Sequence, residues 1–348
     1  MPINNVLVLG GGMCGVACAI ALSKVFPTSS SHPPIKITIY ELRPEPSTIG
    51  GAVNLTPAAI RCLDILGVLD ELNKRRVGCE VDAIQLFSLH TGASLGVMDY
   101  TGPEGKGFDG YKGRRILRSE VLQAMLSVAE KIDNIEIVYS KKVIGLEETD
   151  EEATVKFEDG TTAKGDLVLG CDGIHSATRT TYVEPTRVPS YSGIASASGF
   201  TRTSKVIKTP EDKLFFKDTG LSMSRCGAFL TTFFTPDKDK LYLASVIEMK
   251  HQADKEGWRA KGKDQDAVKE DMMRRFGVSA LPKIKEMLQE VDEWYLYPVF
   301  LLPPNGKWAT KRVFLLGDAA HAVSQQLLWN EGRSLIRQLC RCHQEERA

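Results

Sequence analysis

The sequence predicts an α/β protein in two parts: a parallel sheet flanked by helices, and a smaller α+β part whose sheet is mostly antiparallel. Three observations predict it. A short apolar run at 6–9 (VLVL) passes through glycines 10, 11, 12 and 15 into an Ala-, Val- and Ile-rich segment. Two further apolar runs end in an acid beside a glycine, at 165–173 (GDLVLGCDG) and 312–318 (RVFLLGD). From 191 to 249, between those two runs, the pattern turns mostly to strand.

Each element follows from its local pattern. Residues 6–9 read as a strand and 13–25 as a buried helix. The Ser/Pro-rich stretch 27–34 is a surface loop, and 35–40 is a β-branched strand ending at Glu41. Strand, helix and strand make a β-α-β unit, which requires parallel pairing. Thr56 caps a helix over 56–66, with Pro57 at its first position. Residues 80–89 and 94–100, joined around Thr91 and Gly92, form a hairpin outside that β-α-β unit. A helix over 118–131 follows, with Ser119 as a possible cap. Residues 135–139, 142–148, 153–157 and 161–164 make a meander with a tight turn at 158–160, leading into a strand at 166–170. Strands are expected at 214–216, 227–234, 241–247 and 293–300, and helices near 266–276 and 282–290. No internal repeat or low-complexity tract interrupts this order.

Composition narrows the class. A chain of 348 residues can hold two domains or one large α/β unit. Lys plus Arg equals Asp plus Glu, 44 each, so no net charge argues for nucleic acid or an anionic membrane. The eight cysteines, at 14, 18, 62, 79, 171, 226, 340 and 342, form no disulfide framework and fit a reducing setting. Cys340, Cys342 and His343 lack a second ligand pair at finger-like spacing, so no metal is expected there. Cys14 and Cys171 read as small apolar fillers. No secretory leader and no run of 18 apolar residues is visible, so a cytoplasmic protein without a membrane span is expected.

The glycine motif carries specific chemistry. In Gly10-x-Gly12-x-x-Gly15, the first glycine permits the turn and the second lets a pyrophosphate approach the backbone. The third lets helix and strand pack closely, and the phosphates face a helix N-terminus. Glu41 ends the next strand, where its carboxylate would accept from a ribose 2′-hydroxyl. It follows Gly15 by 26 residues, more than the usual ~20, and the 27–34 insert explains the excess. An acid there repels a 2′-phosphate, so NADP is not the expected nucleotide at this motif. The bland reading of Glu41 is a solvated strand-end charge. The first motif alone does not separate NAD from FAD. Asp318, ending a third strand, favours FAD: it is poised for a polyol hydroxyl that an NAD enzyme does not present.

Taken together, these motifs resemble the class A flavoprotein monooxygenases, the salicylate and p-hydroxybenzoate hydroxylase family, in its fungal members, over nearly all of 3–323. The resemblance implies a discontinuous Rossmann-like FAD-binding domain of glutathione-reductase type (1–79, 101–182 and 301–348), a parallel sheet with a β-meander. It implies a smaller α+β substrate domain at 80–100 and 183–300. On the family's pattern the FAD contacts are Gly10, Gly12, Gly15 and Glu41; Gly51, Ala52 and Asn54 of the IGGAVN segment; Arg118; Asp172 and Gly173; and Asp318. Asp166, Ser176 and Arg179 complete the Asp-Gly motif, which the family links to FAD and pyridine nucleotide alike. Arg118 as a surface residue and Asp172-Gly173 as a plain turn remain the alternatives.

The implied activity uses NAD(P)H (NADH or NADPH) to reduce FAD. Reduced flavin and O2 then give a C4a-hydroperoxyflavin that hydroxylates an aromatic or enolic small molecule. No nucleic acid or membrane partner is implied. A flavin oxidase or dehydrogenase on the same fold is the competing enzyme reading. Two departures matter. Many members place an arginine a few residues after a glycine in the first strand of the substrate region; here, in 191–200, Ser198 stands there, so no catalytic residue is carried over. After His321 the family has a Pro and a Gly-rich, Asn-containing loop over the flavin ring, whereas this chain has VSQQLLWNEGR at 323–333 and 27 residues in all after His321. That predicts a C-terminally truncated member with impaired flavin binding, or a catalytically impaired flavoprotein; a shifted frame or retained intron near 324 would be a simple cause.

Other residues read as structural. Trp258, Trp294 and Trp308 are expected as core or interface aromatics. His321 is a helix-start histidine. Met223, Phe229, Phe233 and Tyr242 are expected in core packing, with a pocket lining as the alternative.

Overall fold

The computed structural model describes residues 3–26, 34–48, 50–252 and 254–322. A five-stranded sheet runs, edge to edge, Val313–Leu315, Leu167–Gly170, Asn5–Leu9, Lys36–Tyr40 and Ile135–Val138, every neighbour parallel. The central strand has no alternation because both faces are covered. Val6 and Val8 pack with the helices Met13–Val25 and Arg118–Ala129, while Leu7 and Leu9 pack with Val155, Phe157 and Val313 on the other side. Each such fully buried aliphatic is worth about 1.5–3 kcal/mol. This explains why the run reads as continuously apolar. From Asn5–Leu9 the chain builds outward through Lys36–Tyr40 to Ile135–Val138, then adds Leu167–Gly170 and Val313–Leu315 on the opposite side. The reversal lies between Asn5–Leu9 and Leu167–Gly170, and parallel sheets bind ligands outside the carboxyl ends at such a point.

A three-stranded meander, Val143–Glu148, Ala153–Phe157 and Thr162–Gly165, covers one side. The expectation that 135–139 opens this meander is corrected: those residues pair in parallel with Lys36–Tyr40, their apolar side chains joining the core beneath the first helix.

The second body is a seven-stranded sheet in the order Trp294–Leu301, Ser190–Arg202, Lys240–Glu248, Gly227–Phe233, Thr219–Ser224, Ala83–Ser88, Ser94–Asp99. All pairs are antiparallel except Thr219–Ser224 with Ala83–Ser88. One face buries Ala195, Ala197, Phe229, Leu243 and Ile247 against the helices Lys255–Lys263, Gln265–Phe276 and Ile284–Gln289. The other face stays half-buried at Ser196, Phe200, Leu221, Met223, Leu230 and Ala244. A small antiparallel sheet, Ala52–Leu55, Gly113–Leu117 and Cys79–Val81, joins the two bodies: Ala52 and Leu117 pack with Phe234 and Tyr242.

Several local expectations are corrected. The hairpin begins at Ala83, because Cys79–Val81 pairs with Gly113–Leu117 instead. Residues 214–216 are not a strand: Phe215 packs edge-on against Phe87 and Phe216 packs against Phe233, and the strand falls at Thr219–Ser224. The helix Lys255–Lys263, capped by Asp254, was not expected. Ser119 caps nothing: Gly113–Leu117 runs straight into the helix, and the Arg118 amide donates to the Gly51 carbonyl at 3.3 Å. Trp258 and Trp294 are buried, but Trp308 is 51% exposed and leans on His321. Thr56 caps its helix as expected, accepting from the Ala59 amide. Most of the 27–34 loop, Ile49, and everything after residue 322, including Cys340, Cys342 and His343, lie outside the described residues. Among those described, no helix is long and apolar enough to cross a membrane.

Candidate active site

The carboxyl ends of four parallel strands gather Gly10–Gly15, Glu41, Asp172 and Asp318 at one edge of the sheet. Gly10 adopts φ +111°, and a Cβ on Gly15 would sit 2.0 Å from the Gly10 carbonyl oxygen, so only glycine lets the helix start this close to the strand. Gly12 is different: a Cβ there meets nothing within 4 Å, which leaves open space at the helix N-terminus. Glu41 reaches back to this turn. Its Oε2 accepts from the Gly11 amide at 2.7 Å and its Oε1 from the Arg43 amide at 2.9 Å. Each oxygen keeps lone-pair capacity for a further donor.

Asp172 follows Leu167–Gly170. Its Oδ2 accepts from the Thr178 amide and hydroxyl, both at 2.9 Å, while its Oδ1 is buried without a partner among the described residues. Gly173 turns at φ +77° and its carbonyl accepts from Ser176, so a tight turn is present at this motif. Asp318 opens the short helix Asp318–His321 and is exposed; Gly317 before it, at φ +57°, lies against the Cys14 thiol. The motif thus abuts the first turn of the glycine-motif helix. Cys14, Cys18 and Cys171 bring their sulfurs within 4.8 Å of one another behind that turn. Cys171 is buried, as a filler must be.

The second group of expected residues sits on the small sheet. Gly50 lies against the Arg118 side chain, and a Cβ on Gly51 would stand 2.1 Å from the Tyr242 ring. Ala52 is buried with Tyr242, and Asn54 donates from Nδ2 to the Tyr100 hydroxyl at 3.1 Å while its Oδ1 is buried and unpartnered. Arg118 heads the helix that packs on Met13–Val25, so this group stands beside the glycine motif. Tyr242 faces the half-buried side of the large sheet with Phe200 at 5.2 Å; Phe229 and Phe233 point to the opposite, helix-covered side. Burial pushes the Tyr242 phenol pKa up, opposed by a hydrogen bond from Ser198 and by the charges of Arg118 and Arg115.

The residues fit an extended dinucleotide. Open backbone stands at a helix N-terminus, acids end the strands, and two buried acceptors, Asp172 Oδ1 and Asn54 Oδ1, lack donors among the described residues. The family described as FAD binding domain matches residues 4–326. The chain belongs to that family.

Relatives within it are class A FAD-dependent aromatic hydroxylases, and the protein is an oxidoreductase. It is 26% identical over 333 residues to an FAD-dependent urate hydroxylase of Mycolicibacterium vanbaalenii, covering 93% of this chain and 75% of that protein. It is 26% identical to a 6-hydroxynicotinate 3-monooxygenase of Pseudomonas fluorescens, covering 93% and 77%. Klebsiella pneumoniae HpxO complexed with FAD and uric acid shares the fold at TM-score 0.73 and 21% identity, covering 93% of this chain and 75% of that one.

Two arginines unforeseen as fold elements shape this FAD-binding domain. Arg179, noted only as part of the Asp-Gly motif, is fully buried and donates to the carbonyls of Ala319, Arg187 and Ile174. Arg187 donates to Ala320 and Pro303. A third, Arg115, is also buried. Its only signal in the sequence is alternation: Gly113, Arg115 and Leu117 share one face of a strand.

Proposed function

We propose that this protein is an FAD- and NAD(P)H-dependent monooxygenase that places one atom of O2 on a small aromatic or enolic molecule, the other leaving as water with two electrons from NAD(P)H. The observation that carries this reading is the juxtaposition of two features: a dinucleotide-type crevice, and a half-buried sheet face reached through Gly51 and Tyr242. FAD, when bound, supplies the electron transfer and the oxygen activation.

The chain's own residues bind and orient. The Gly10–Gly15 turn and helix N-terminus hold the pyrophosphate, Glu41 the ribose hydroxyls, and Asp318 and Asp172 the polar linker. Gly51, Ala52, Asn54 and Arg118 would hold the flavin ring system, on the side where Gly51 and Ala52 lie against Tyr242 of the large sheet. Tyr242, kept un-ionised by burial, donates to an oxygen on the substrate, and Phe200 beside it stacks the ring. Covering this face keeps water from the reacting atoms.

The purified chain is expected to show a flavin absorbance spectrum and to oxidise NADH or NADPH with stoichiometric transfer of labelled oxygen into product. A protein that stays colourless with added FAD, or that returns all its electrons as free hydrogen peroxide, would sink the proposal.

A further inference from the structure

Three cysteines converge behind the glycine motif. The sulfurs of Cys14, Cys18 and Cys171 all lie within 4.8 Å of one another. Among the described residues, no other group of three or more His, Cys, Asp or Glu side chains gathers in this way. Small apolar fillers have no need to turn their sulfurs to one point.

Rigid elements place each sulfur. Cys14 and Cys18 are four residues apart on the helix Met13–Val25, so they share one face. Cys171 follows the strand Leu167–Gly170, and its amide donates to the Leu9 carbonyl at 2.8 Å. Its own carbonyl lies against the glycine turn, where a Cβ on Gly10 would stand 2.5 Å from that oxygen. Gly317 leaves room on the remaining side: a Cβ there would stand 2.9 Å from the Cys14 sulfur. The cluster thus touches all three motif segments.

The spacing fits one soft cation. Zn–S bonds of about 2.3 Å set three thiolates about 3.8–4.0 Å apart, so closing this cluster on an ion takes sulfur shifts of about 1 Å or less. Ligands that are all thiolates select Zn2+ over Mg2+ or Ca2+. The fourth position of a tetrahedral zinc falls to water, which half-buried Cys14 and Cys18 admit. Three thiolates on a divalent ion leave one net negative charge, and the N-terminus of the helix that carries Cys14 stabilises it.

We propose that Cys14, Cys18 and Cys171 bind one Zn2+ ion, which ties the glycine-motif helix to the end of the strand before Asp172. Each thiol passes its proton to the solvent as its Zn–S bond forms, with no change of oxidation state. The site needs neither FAD nor turnover, so it stands apart from the monooxygenase reading.

The test uses the full chain, stripped of metal by a chelator, kept reduced, and titrated with Zn2+ alone. Iodoacetamide labelling, read peptide by peptide, reports each thiol. Zn2+ is expected to shield Cys14 and Cys18 at one ion per chain, while the exposed Cys62 and Cys226 go on reacting. Zn2+ should also raise the unfolding midpoint, and Cd2+ in its place should bring up an ultraviolet thiolate charge-transfer band. Cys18→Ala should weaken Zn2+ by more than the roughly 10–100-fold that losing a supporting residue around a metal costs. Replacing Cys340 and Cys342 together by Ser should leave the affinity unchanged. Labelling of Cys14 and Cys18 that Zn2+ does not alter overturns the proposal. Zn2+ binding that survives Cys18→Ala, or that vanishes with the Cys340 and Cys342 pair, overturns it as well. The labelling needs no variant, so it decides the matter even where a substitution harms folding.

Discussion

The Arg179 guanidinium donates to the Ala319 carbonyl at 2.8 Å across 140 residues of sequence. Two motifs that are far apart in the chain, Asp172-Gly173 and Gly317-Asp318, are thereby held in one piece. Arg187 adds a second tie, to Ala320 at 2.9 Å. Asp318 thus opens a four-residue helix whose Ala319 and Ala320 carbonyls are held by these two arginines.

Replacing Arg179 should show this. Arg179→Met leaves three carbonyls without donors, each costing about 1–3 kcal/mol when buried. Urea unfolding should report a loss of about 3 kcal/mol or more. An unchanged midpoint would mean that water or a shifted backbone replaces the guanidinium.

The glycine motif should separate fold from ligand. Gly15→Ala puts a Cβ 2.0 Å from the Gly10 oxygen and should lower the unfolding midpoint and FAD uptake together. Gly12→Ala meets no neighbour, so the midpoint without FAD should stay within about 0.5 kcal/mol while FAD affinity falls, because the methyl occupies pyrophosphate space. Equal FAD affinity in Gly12→Ala and the parent would remove the pyrophosphate from this turn.

Asp318 is exposed, so Asp318→Ala should leave stability nearly unchanged and lower FAD retention on gel filtration. Glu41→Ala should lower both stability and FAD retention, since its carboxylate also accepts from the Gly11 and Arg43 amides. A difference in the opposite sense would reverse the roles assigned to these two acids.

His175 gives a pH test. It lies edge-on to Phe300 at 5.6 Å, and burial, then the charges of Lys255 and Arg179, lower its pKa from 6.5. The folded protein thus favours the neutral ring, and below 6.5 the unfolded chain binds more protons. Its contribution is fully present above 6.5 and is lost as pH falls through the lower folded value. Unfolding midpoints from about pH 7.5 to about pH 5 should fall less steeply in His175→Gln, which cannot take the proton. Identical slopes would assign the acid sensitivity to other groups.

The sequence by itself determined the β-α-β start, the three motif strands, the switch to an antiparallel body and the family. These are local signals: apolar runs, glycines at fixed spacing, and acids at strand ends, each interpretable within about a dozen residues. Tertiary structure alone decided that 135–138 joins the parallel sheet, because edge pairing depends on what the rest of the sheet leaves open. It alone decided that Phe229 and Phe233 face the helices while Tyr242 faces the site, since strand register selects the face. The same holds for the arginines. Arg179, Arg187 and Arg115 are alike in sequence, and only the fold separates two donors saturated by distant carbonyls from one left open beside Asn54. Burial and partnership are long-range properties, so they become legible only once the chain has folded.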